Sequence, residues 1–185
     1  VCSSDLAGID FGKHVIPYCF EQGKRIFAYE YNGYWKDVGT LGSYWEENVA
    51  IDIIPEFNLY EEYWKIYTKS DRIPPQYISA DAKITKCIIG EGSEIYGEVT
   101  NSVIGSGVTI EKGAVVKDSI IMQDSVIGEG AVVEKAIVAE DVKVGAGAHL
   151  GVGEYAPSKY DQKVYQFDLV TIGEHSVIPE NVKIG

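Results

Sequence analysis

Cysteine is scarce in this sequence, and the cysteines that are present form no recognisable pattern. Cys2, Cys19 and Cys87 are odd in number and lie far apart in a chain of 185 residues. A disulfide framework needs an even set at regular spacings, and a structural zinc site needs closely spaced pairs. The spacing matches neither kind of site, so we expect ordinary thiols in a reducing cytoplasm.

Basic charge and long apolar runs are also in short supply. The 16 Lys and Arg residues are outnumbered by 28 Asp and Glu residues, which gives a net charge of -12. A surface of that sign repels the phosphate backbone, so we expect no nucleic-acid partner. The apolar stretches are only a few residues long, and the first ten residues lack the basic start and apolar centre of a signal peptide. We therefore expect neither a membrane span nor secretion.

Two further landmarks are missing. The chain begins with Val1 in place of Met, and it stops at Gly185 in the middle of a repeating pattern, so we expect a piece of a longer protein. The sequence contains neither G-x-G-x-x-G nor a P-loop, the two glycine-rich motifs whose backbone N–H groups hold nucleotide phosphates. We expect the chain on its own to lack a nucleotide-binding loop.

Helix and strand patterns alternate in residues 1–54. Asp10 is a helix cap in front of a helix through Phe20, and Gly23 is a stop signal behind it. Residues 25–31 and 34–38 predict two short strands, because polar and apolar residues alternate there and Asn32-Gly33 between them is typical of a hairpin turn.

A second helix is predicted to begin at Thr40, a good capping residue. Its apolar face would consist of Tyr44, Trp45, Val49, Ile51 and Ile54. Residues 1–54 thus predict the end of a mixed α/β domain.

Residues 55–77 predict a connection between two domains. The segment contains Pro55, Pro74 and Pro75 together with the aromatic residues Tyr60, Tyr63, Trp64 and Tyr67. Aromatic side chains in a linker usually pack on a neighbouring surface. We expect a docked segment and not a loose tether.

The third region, residues 78–185, is a repeat. Aliphatic residues return at steps of six, six and five, so that the pattern restarts every 17 residues. Neither a helix nor a single strand has that period, whereas a triangular coil with three flat faces does. The repeating positions are Ile104, Ile110, Val116, Ile121, Ile127, Val133, Val138, Val144, Leu150, Ile172, Ile178 and Ile184, with Ile78, Ile84, Ile89 and Ile95 ahead of them.

Glycine marks the corners of these coils. The phrases IGEG (from Ile89 and Ile127), IGSG (from Ile104) and VGAG (from Val144) repeat, and IGEH (from Ile172) is a weaker copy. Glycine supplies a positive φ at a tight turn without a Cβ penalty. Residues 151–170 interrupt the repeat, and we expect them to form an excursion from the solenoid, with a contact arm for a partner or effector as the alternative.

Three motifs carry a resemblance to a known family. They are DFGKHVIP from Asp10, GYWKDVGT from Gly33, and PPQYIS from Pro74. In this order they resemble bacterial glucose-1-phosphate adenylyltransferase, from about Asp10 to the C-terminus; residues 1–9 do not match. The resemblance implies an α/β remnant of a Rossmann-like nucleotidyltransferase domain followed by an all-β left-handed parallel β-helix of hexapeptide repeats.

The resemblance also implies chemistry and partners. The family makes ADP-glucose and pyrophosphate from ATP and glucose 1-phosphate in glycogen biosynthesis, with Mg²⁺ as cofactor. It works in the cytoplasm as an allosterically controlled homotetramer. By the same resemblance Asp37 is one of two metal-binding aspartates. Its position after a short strand and before a helix start agrees with where ligands gather in α/β sheets, although a turn or capping role is the alternative.

Other residues in the first 54 positions are predicted to have solvated or structural roles. Lys36 neighbours the site and is a weak phosphate candidate, because alternation along a strand points it away from Asp37. Lys13 is read as a solvated lysine. Lys24 and Arg25 are read as a solvated turn, with an effector site as the alternative. Structural roles are expected for Gly33, Trp35 and Gly39.

Three alternatives stay open. A hexapeptide-repeat acyltransferase needs a histidine base, for which His149 and His175 are candidates; His14 lies outside the repeat, which argues against a three-histidine zinc site. The β-helix alone is also compatible with an assembly and regulatory role. Another sugar-1-phosphate nucleotidyltransferase, such as a mannose-1-phosphate guanylyltransferase, would share the same class of chemistry.

Overall fold

The computed structural model describes residues 10–50, 58–59, 61–65, 67, 72–151 and 169–185. The chain divides into two compact units, Val1–Tyr34 and Trp35–Gly185. Among the described residues, the first holds a short helical segment, and the second holds one helix and a β-helix.

The helical segment of the first unit begins where the sequence predicts. Asp10 Oδ1 accepts a hydrogen bond of 2.7 Å from Lys13 N, which confirms Asp10 as the cap. The helix starts as a π-helical turn, Phe11–Val15, and continues as helix α1, Ile16–Glu21. Pro17 explains the wide first turn, because proline lacks an N–H and its ring crowds the carbonyl four residues earlier.

The helix ends as predicted. Gly23 has a φ of 65° and its N–H donates to Phe20 O at 2.9 Å. Lys24 N donates to Cys19 O at 3.0 Å, so the last carbonyl groups are satisfied by the residues that follow.

The hairpin predicted over residues 25–38 is wrong. The structure describes all of these residues and assigns none of them to a strand, and neither Asn32 nor Gly33 has a positive φ. Phe27 and Tyr29 are 80% and 89% exposed. A two-stranded ribbon is only marginally stable without further strands or a covering layer, and no other described strand pairs with this segment.

The second helix forms at the predicted start. Helix α2, Leu41–Val49, is capped by Thr40, and Tyr44, Trp45 and Val49 on its predicted apolar face are half-buried. Ile51 and Ile54, also predicted for that face, lie outside the described residues. Of the helices in the described ranges, none has the length and apolar character needed to cross a membrane.

The aromatic residues of the connection do not pack as expected. Tyr63, Trp64 and Tyr67 are 101%, 84% and 87% exposed. The docked arrangement is therefore wrong for these three residues, because no described apolar surface lies against them; Tyr60 is outside the described residues.

The rest of the second unit is a parallel β-helix. Its described part contains strands that together form the three faces of a triangular coil. They are β1 Tyr77–Ile78, β2 Lys83–Ile89, β3 Glu94–Ile95, β4 Glu98–Ile104, β5 Thr109–Ile110, β6 Val115–Lys117, β7 Ile120–Ile121, β8 Val126–Ile127, β9 Val132–Glu134, β10 Ala136–Val138, β11 Lys143–Val144, β12 His149–Leu150, β13 Val170–Ile172, β14 Val177–Ile178 and β15 Lys183–Ile184.

Parallel pairing stacks each strand on the equivalent strand of the next coil. Face one is the sheet β1-β3-β5-β8-β11-β14. Faces two and three belong to one nine-stranded sheet, because β2 and β4 run continuously around the corner between them. The register places aliphatic residues of the repeat on one another, as in the pairs Ile95↔Ile110 and Ile110↔Ile127.

The stacked aliphatic residues form the core and confirm the predicted repeat. Ile104, Ile110, Ile121, Ile127 and Val133 are all at most 1% exposed. Ile172, Ile178 and Ile184 of the last coil are partly buried against the same core. One coil could not enclose these side chains, so the coils depend on stacking for their stability.

In a corner phrase with two glycines, the first and the second glycine have different structural roles. In the IGEG phrase at Ile127, Gly130 has a φ of 67°, as predicted. Gly128 has no positive φ, and a Cβ there would lie 2.7 Å from Val144 O of the next coil. In the IGEH phrase, His175 takes the left-handed position with a φ of 58°. The positive φ is the role predicted from the sequence, and the close approach of the coils is a second role of glycine that the repeat does not reveal.

The coil is interrupted at one corner. The step from Leu150 on face two to Ile172 on face three is 22 residues, whereas the same step from Val133 to Val138 is five. The chain returns in register, because Val138 pairs with Ile172. Residues 152–168, which carry most of the predicted excursion, lie outside the described residues.

A ladder of buried hydroxyl groups links successive coils at the corner between faces two and three. Ser119 Oγ donates to Lys117 O at 2.7 Å and accepts from Ala136 N of the next coil at 3.1 Å. Ser119 N in turn donates to Ser102 Oγ of the preceding coil at 3.1 Å. Because Ser119 is fully buried, its hydroxyl takes the place of water for these backbone groups.

Replacing Ser119 by alanine should lower the free energy of unfolding by about 1–3 kcal/mol, because Ala136 N would lose its acceptor inside the protein. Urea denaturation followed by circular dichroism measures the change. Ser106→Ala is the matched control, since Ser106 is less buried and its hydrogen bond within the described residues is made by the backbone carbonyl, which accepts from Asp124 N. Equal stability of the two variants would contradict the bridging role.

Candidate active site

Asp37 lies in a tight turn directly ahead of helix α2. Its Oδ1 accepts a hydrogen bond of 2.9 Å from Gly39 N, so the carboxylate folds back over its own backbone. A Cβ on residue 39 would lie 3.0 Å from the same oxygen, so a larger residue there would require the carboxylate to shift. This arrangement agrees with the turn role considered for Asp37, and it leaves the side chain exposed.

The helix that follows is fixed by a reciprocal cap. Thr40 Oγ1 accepts from Ser43 N, and Ser43 Oγ accepts from Thr40 N, both at 3.2 Å. Because the cap sets where α2 begins, it also sets where the Asp37 turn is placed against the helix N-terminus.

The donor chemistry of Asp37 suits a hard divalent cation. Oδ2 accepts no hydrogen bond from the described residues, and an exposed carboxylate oxygen is a ligand that Mg²⁺ prefers. No group of three His, Cys, Asp or Glu side chains in the described ranges is arranged to hold a metal ion. Asp37 therefore fits as one ligand and does not form a site by itself.

Lys36 is directed away from this carboxylate. Its Nζ lies 3.1 Å from Glu47 Oε1 on α2, in an ion pair whose side chains are 43% and 17% exposed. The expected separation of Lys36 from Asp37 is thus seen, although no strand produces it. The ion pair connects the residue before Asp37 to helix α2. Because Lys36 is engaged with Glu47, it is not a free phosphate ligand in this structure.

Helix α2 is held in turn by the β-helix. Trp45 Nε1 donates a hydrogen bond of 2.7 Å to Asp118 O, and Lys135 Nζ lies 5.9 Å from the centre of the Trp45 ring. The helix contacts strands β4 and β7. Sequence reasoning missed this docking.

A signal for the docking surface exists in the sequence. Lys86, Asn101, Asp118 and Lys135 follow one another at steps of 15, 17 and 17 residues, and each has a φ between 47° and 57°. We call these four residues the corner column. Polar residues in the period of the repeat mark a corner, and Trp45 reaches one of its carbonyl groups.

The other candidates of the first unit have local roles. Lys13 N donates to the Asp10 cap, and His14 Nδ1 accepts from Asp10 N at 3.0 Å. The guanidinium of Arg25 lies 5.9 Å from the Phe27 ring. Lys24 is exposed, which agrees with a solvated turn.

The histidines of the β-helix lie at separate places in the coil. His149 pairs in the ladder with Val132 and Lys183 on face two. His175 lies at an exposed corner, where its Nδ1 is 3.0 Å from Asp141 Oδ2. The ring of His175 is thus oriented by a contact between two coils, which is a structural role.

The thiols behave as ordinary cysteines. Cys19 and Cys87 are free, and Cys2 lies outside the described residues. Burial is the main reason why the pKa of Cys87 is raised, and hydrogen bonds with backbone groups oppose the rise. A raised pKa means less thiolate at neutral pH, so Cys87 is a slow nucleophile while it stays covered.

Comparison with known proteins covers both units. A family model described as nucleotidyl transferase matches residues 3–52, and one described as GlmU-like, C-terminal hexapeptide matches residues 74–172, more than half of the chain. The expectation that residues 1–9 fall outside the resemblance is therefore wrong, since the first match begins at residue 3.

Several curated proteins that are similar to this chain are named glucose-1-phosphate adenylyltransferase. The glucose-1-phosphate adenylyltransferase of Lachnospira eligens is 70% identical over 98% of this chain and 43% of its own length. Those of Thermosipho africanus and Acetivibrio thermocellus are 54% and 44% identical over 98% and 95% of this chain, and 44% and 42% of their own lengths. The chain thus spans less than half the length of these relatives and corresponds to their C-terminal portion. By its repeat and by this match, the chain belongs to the GlmU-like C-terminal hexapeptide family, with a nucleotidyl transferase segment ahead of the β-helix.

Proposed function

We propose that the chain is the C-terminal part of an enzyme that makes ADP-glucose and pyrophosphate from ATP and glucose 1-phosphate. The observation that carries the proposal is the Asp37 turn, which presents an exposed carboxylate within the nucleotidyl transferase match. The names of the relatives favour the adenylyl and glucose branch over a guanylyltransferase.

The proposed reaction requires that the negative charge of its two substrates be neutralised. A phosphate oxygen of glucose 1-phosphate attacks the α-phosphorus of ATP, the bond from that phosphorus to the bridging oxygen breaks, and pyrophosphate leaves. Both reactants are anions, so positioning and charge neutralisation dominate catalysis. A bound Mg²⁺ supplies that neutralisation. Asp37 would be one of the residues that hold the metal, and the hydrogen bond from Gly39 N fixes the rotation of its carboxylate.

The three regions of the chain would have different roles in the enzyme. Residues 1–54 would complete the nucleotidyltransferase domain, 55–77 would connect, and 78–185 would serve assembly and regulation in a cytoplasmic homotetramer. Exposed strand edges at the ends of a stacked β-helix favour contacts with another copy. Light scattering of the purified chain tests the assembly role, and a clean monomer at high concentration would oppose it.

The enzymatic proposal is tested by adding the part of a relative that this chain does not cover. The segment of the Lachnospira eligens relative that precedes the match is fused to this chain, and the product is here called the joined enzyme. Formation of ADP-glucose from ATP and glucose 1-phosphate supports the proposal. A correctly folded joined enzyme that makes none, or that prefers GTP and mannose 1-phosphate, would refute it.

The isolated 185-residue chain should form no ADP-glucose above background. Its sequence has no glycine-rich nucleotide loop, and it spans 43% of the length of the Lachnospira eligens relative. Pyrophosphate release coupled to a colorimetric phosphate assay measures this, with the joined enzyme as the positive control. Turnover by the isolated chain would show that it holds a complete site.

A further inference from the structure

Helix α2 lies between the β-helix and the Asp37 turn, and it is attached to both. On one side, the indole N–H of Trp45 donates to Asp118 O at 2.7 Å. On the other side, Glu47 holds Lys36, the residue before Asp37, at 3.1 Å. The two anchoring residues are two positions apart on the helix, so a movement of one carries the other with it.

The contact with the β-helix is a surface and not a single bond. Asn48 and Val49 of α2 line a cavity of about 170 Å³ together with Cys87 and Ser102 of the first two coils. Trp45 itself is only half-exposed and lies near Lys135 of a later coil. The helix therefore spans several coils, and its position depends on their stacking.

We propose that the β-helix positions the metal-binding aspartate: Trp45, by docking α2 on the corner column, fixes the Asp37 turn through the Lys36–Glu47 pair. The inference rests on the proposed function for its catalytic consequence and on geometry alone for the docking. Trp45 is a positioning residue in this scheme, because it touches neither substrate nor metal.

Cys87 provides a reporter for the docking. Cys87 lines the cavity together with α2 and is half-buried, and burial raises the pKa of its thiol. When α2 leaves the surface, the thiol gains water, its pKa falls toward the ordinary value, and its reaction with a disulfide reagent accelerates. The measurement uses a Cys2→Ser, Cys19→Ser background, so that Cys87 is the sole thiol.

Two variants separate the hydrogen bond from the ring. Trp45→Phe keeps aromatic packing and removes the N–H donor, whereas Trp45→Ala removes both. We expect modification of Cys87 to accelerate on the order of tenfold in Trp45→Ala and severalfold in Trp45→Phe, as local opening becomes easier. Trp64→Phe is the control, since Trp64 is 84% exposed and should leave the rate unchanged.

The decisive measurement follows the Asp37 turn. Hydrogen–deuterium exchange of a peptide covering residues 35–41, which reports on the turn and not on the body of α2, should accelerate in both Trp45 variants of the isolated chain. In the joined enzyme, the Mg²⁺ concentration for half-maximal rate should rise about three- to tenfold, at the lower end of the effect typical for residues that orient a metal ligand. A merely structural contact would leave the Mg²⁺ dependence unchanged.

The outcomes separate this inference from the proposed function. Faster thiol reaction with unchanged exchange at the turn would overturn the positioning role, and so would no change in either. An unchanged Mg²⁺ dependence in an active joined enzyme would overturn it as well. If the joined enzyme makes no ADP-glucose at all, the proposed function fails, while thiol and exchange measurements on the isolated chain still decide whether Trp45 holds the turn.

Discussion

Replacing Asp37 by asparagine in the joined enzyme should lower the rate of ADP-glucose formation by about 100-fold or more, comparable to removing one group that stabilises charge in a transition state. An asparagine carbonyl is a neutral and weaker ligand for a hard dication than a carboxylate. The loss should appear in kcat/KM at every Mg²⁺ concentration and be partly offset by raising Mg²⁺. Pyrophosphate release measures the rate.

Asparagine is the informative replacement because it preserves the turn. Its side-chain oxygen can still accept from Gly39 N, as Asp37 Oδ1 does at 2.9 Å. The thermal midpoint should therefore stay within about 1 °C, since surface substitutions that keep their hydrogen bonds change stability little. Asp37→Ala, which removes the turn acceptor as well, should lose both activity and some stability.

The control for Asp37→Asn is Asp81→Asn. Asp81 is another exposed aspartate in a turn, located in the first coil of the β-helix. The same loss of one negative charge there should leave the rate within about twofold, since an exposed charge is largely screened over distances longer than the Debye length. Wild-type activity in Asp37→Asn would show that this carboxylate holds no metal, and the proposed function would lose its main support.

The repeat could be predicted from the sequence because it depends on one rule applied many times. Each coil turns one aliphatic side chain inward per face, so Ile110, Ile127 and Val144 recur at the same step and stack on one another. The prediction uses spacing alone, and spacing is visible in the sequence. The corner residues were harder to predict, because His175 and Asp118 adopt a left-handed φ that glycine would normally supply.

The first unit and the docking of α2 lay beyond the reach of periodicity. The alternation over residues 25–31 is a property of the sequence, but a strand needs a partner, and the described residues provide none. Trp45 and Asp118 are separated by 73 residues, so their contact depends on the packing of a helix on a solenoid. Local patterns fix elements and their ends; they do not fix which surface an element meets.

The second large effect is a loss of stability, expected when the first glycine of a corner phrase is replaced, because successive coils approach closely there. Gly128→Ala should lower the free energy of unfolding by about 3 kcal/mol, at the upper end of the cost of overpacking. A Cβ there would lie 2.7 Å from Val144 O and 2.8 Å from Ala146 N. Both atoms belong to the backbone of the next coil, so no side chain can rotate away.

The adjacent coil cannot move away from the added Cβ without breaking the hydrogen bonds of its own parallel strand pairs. Gly128 N donates to Val144 O at 2.9 Å, and Val144 pairs with Ile127 and Ile178 on either side. Relief of the clash would therefore open face one over three coils. In a domain of roughly 100 residues, a loss of this size lowers the thermal midpoint on the order of 10 °C or more, which calorimetry or circular dichroism measures.

Gly130→Asn in the same phrase is the matched control. A Cβ on residue 130 meets nothing within 4 Å, and its φ of 67° is close to the 57° of Asn181 at the equivalent corner of the last coil. Asparagine tolerates this conformation, so the expected loss is below about 1 kcal/mol. If Gly130→Asn were as damaging as Gly128→Ala, the close approach of the coils would not be what sets Gly128 apart. A larger loss of unfolding free energy in Gly128→Ala would show that backbone contact between successive coils excludes a side chain at this position.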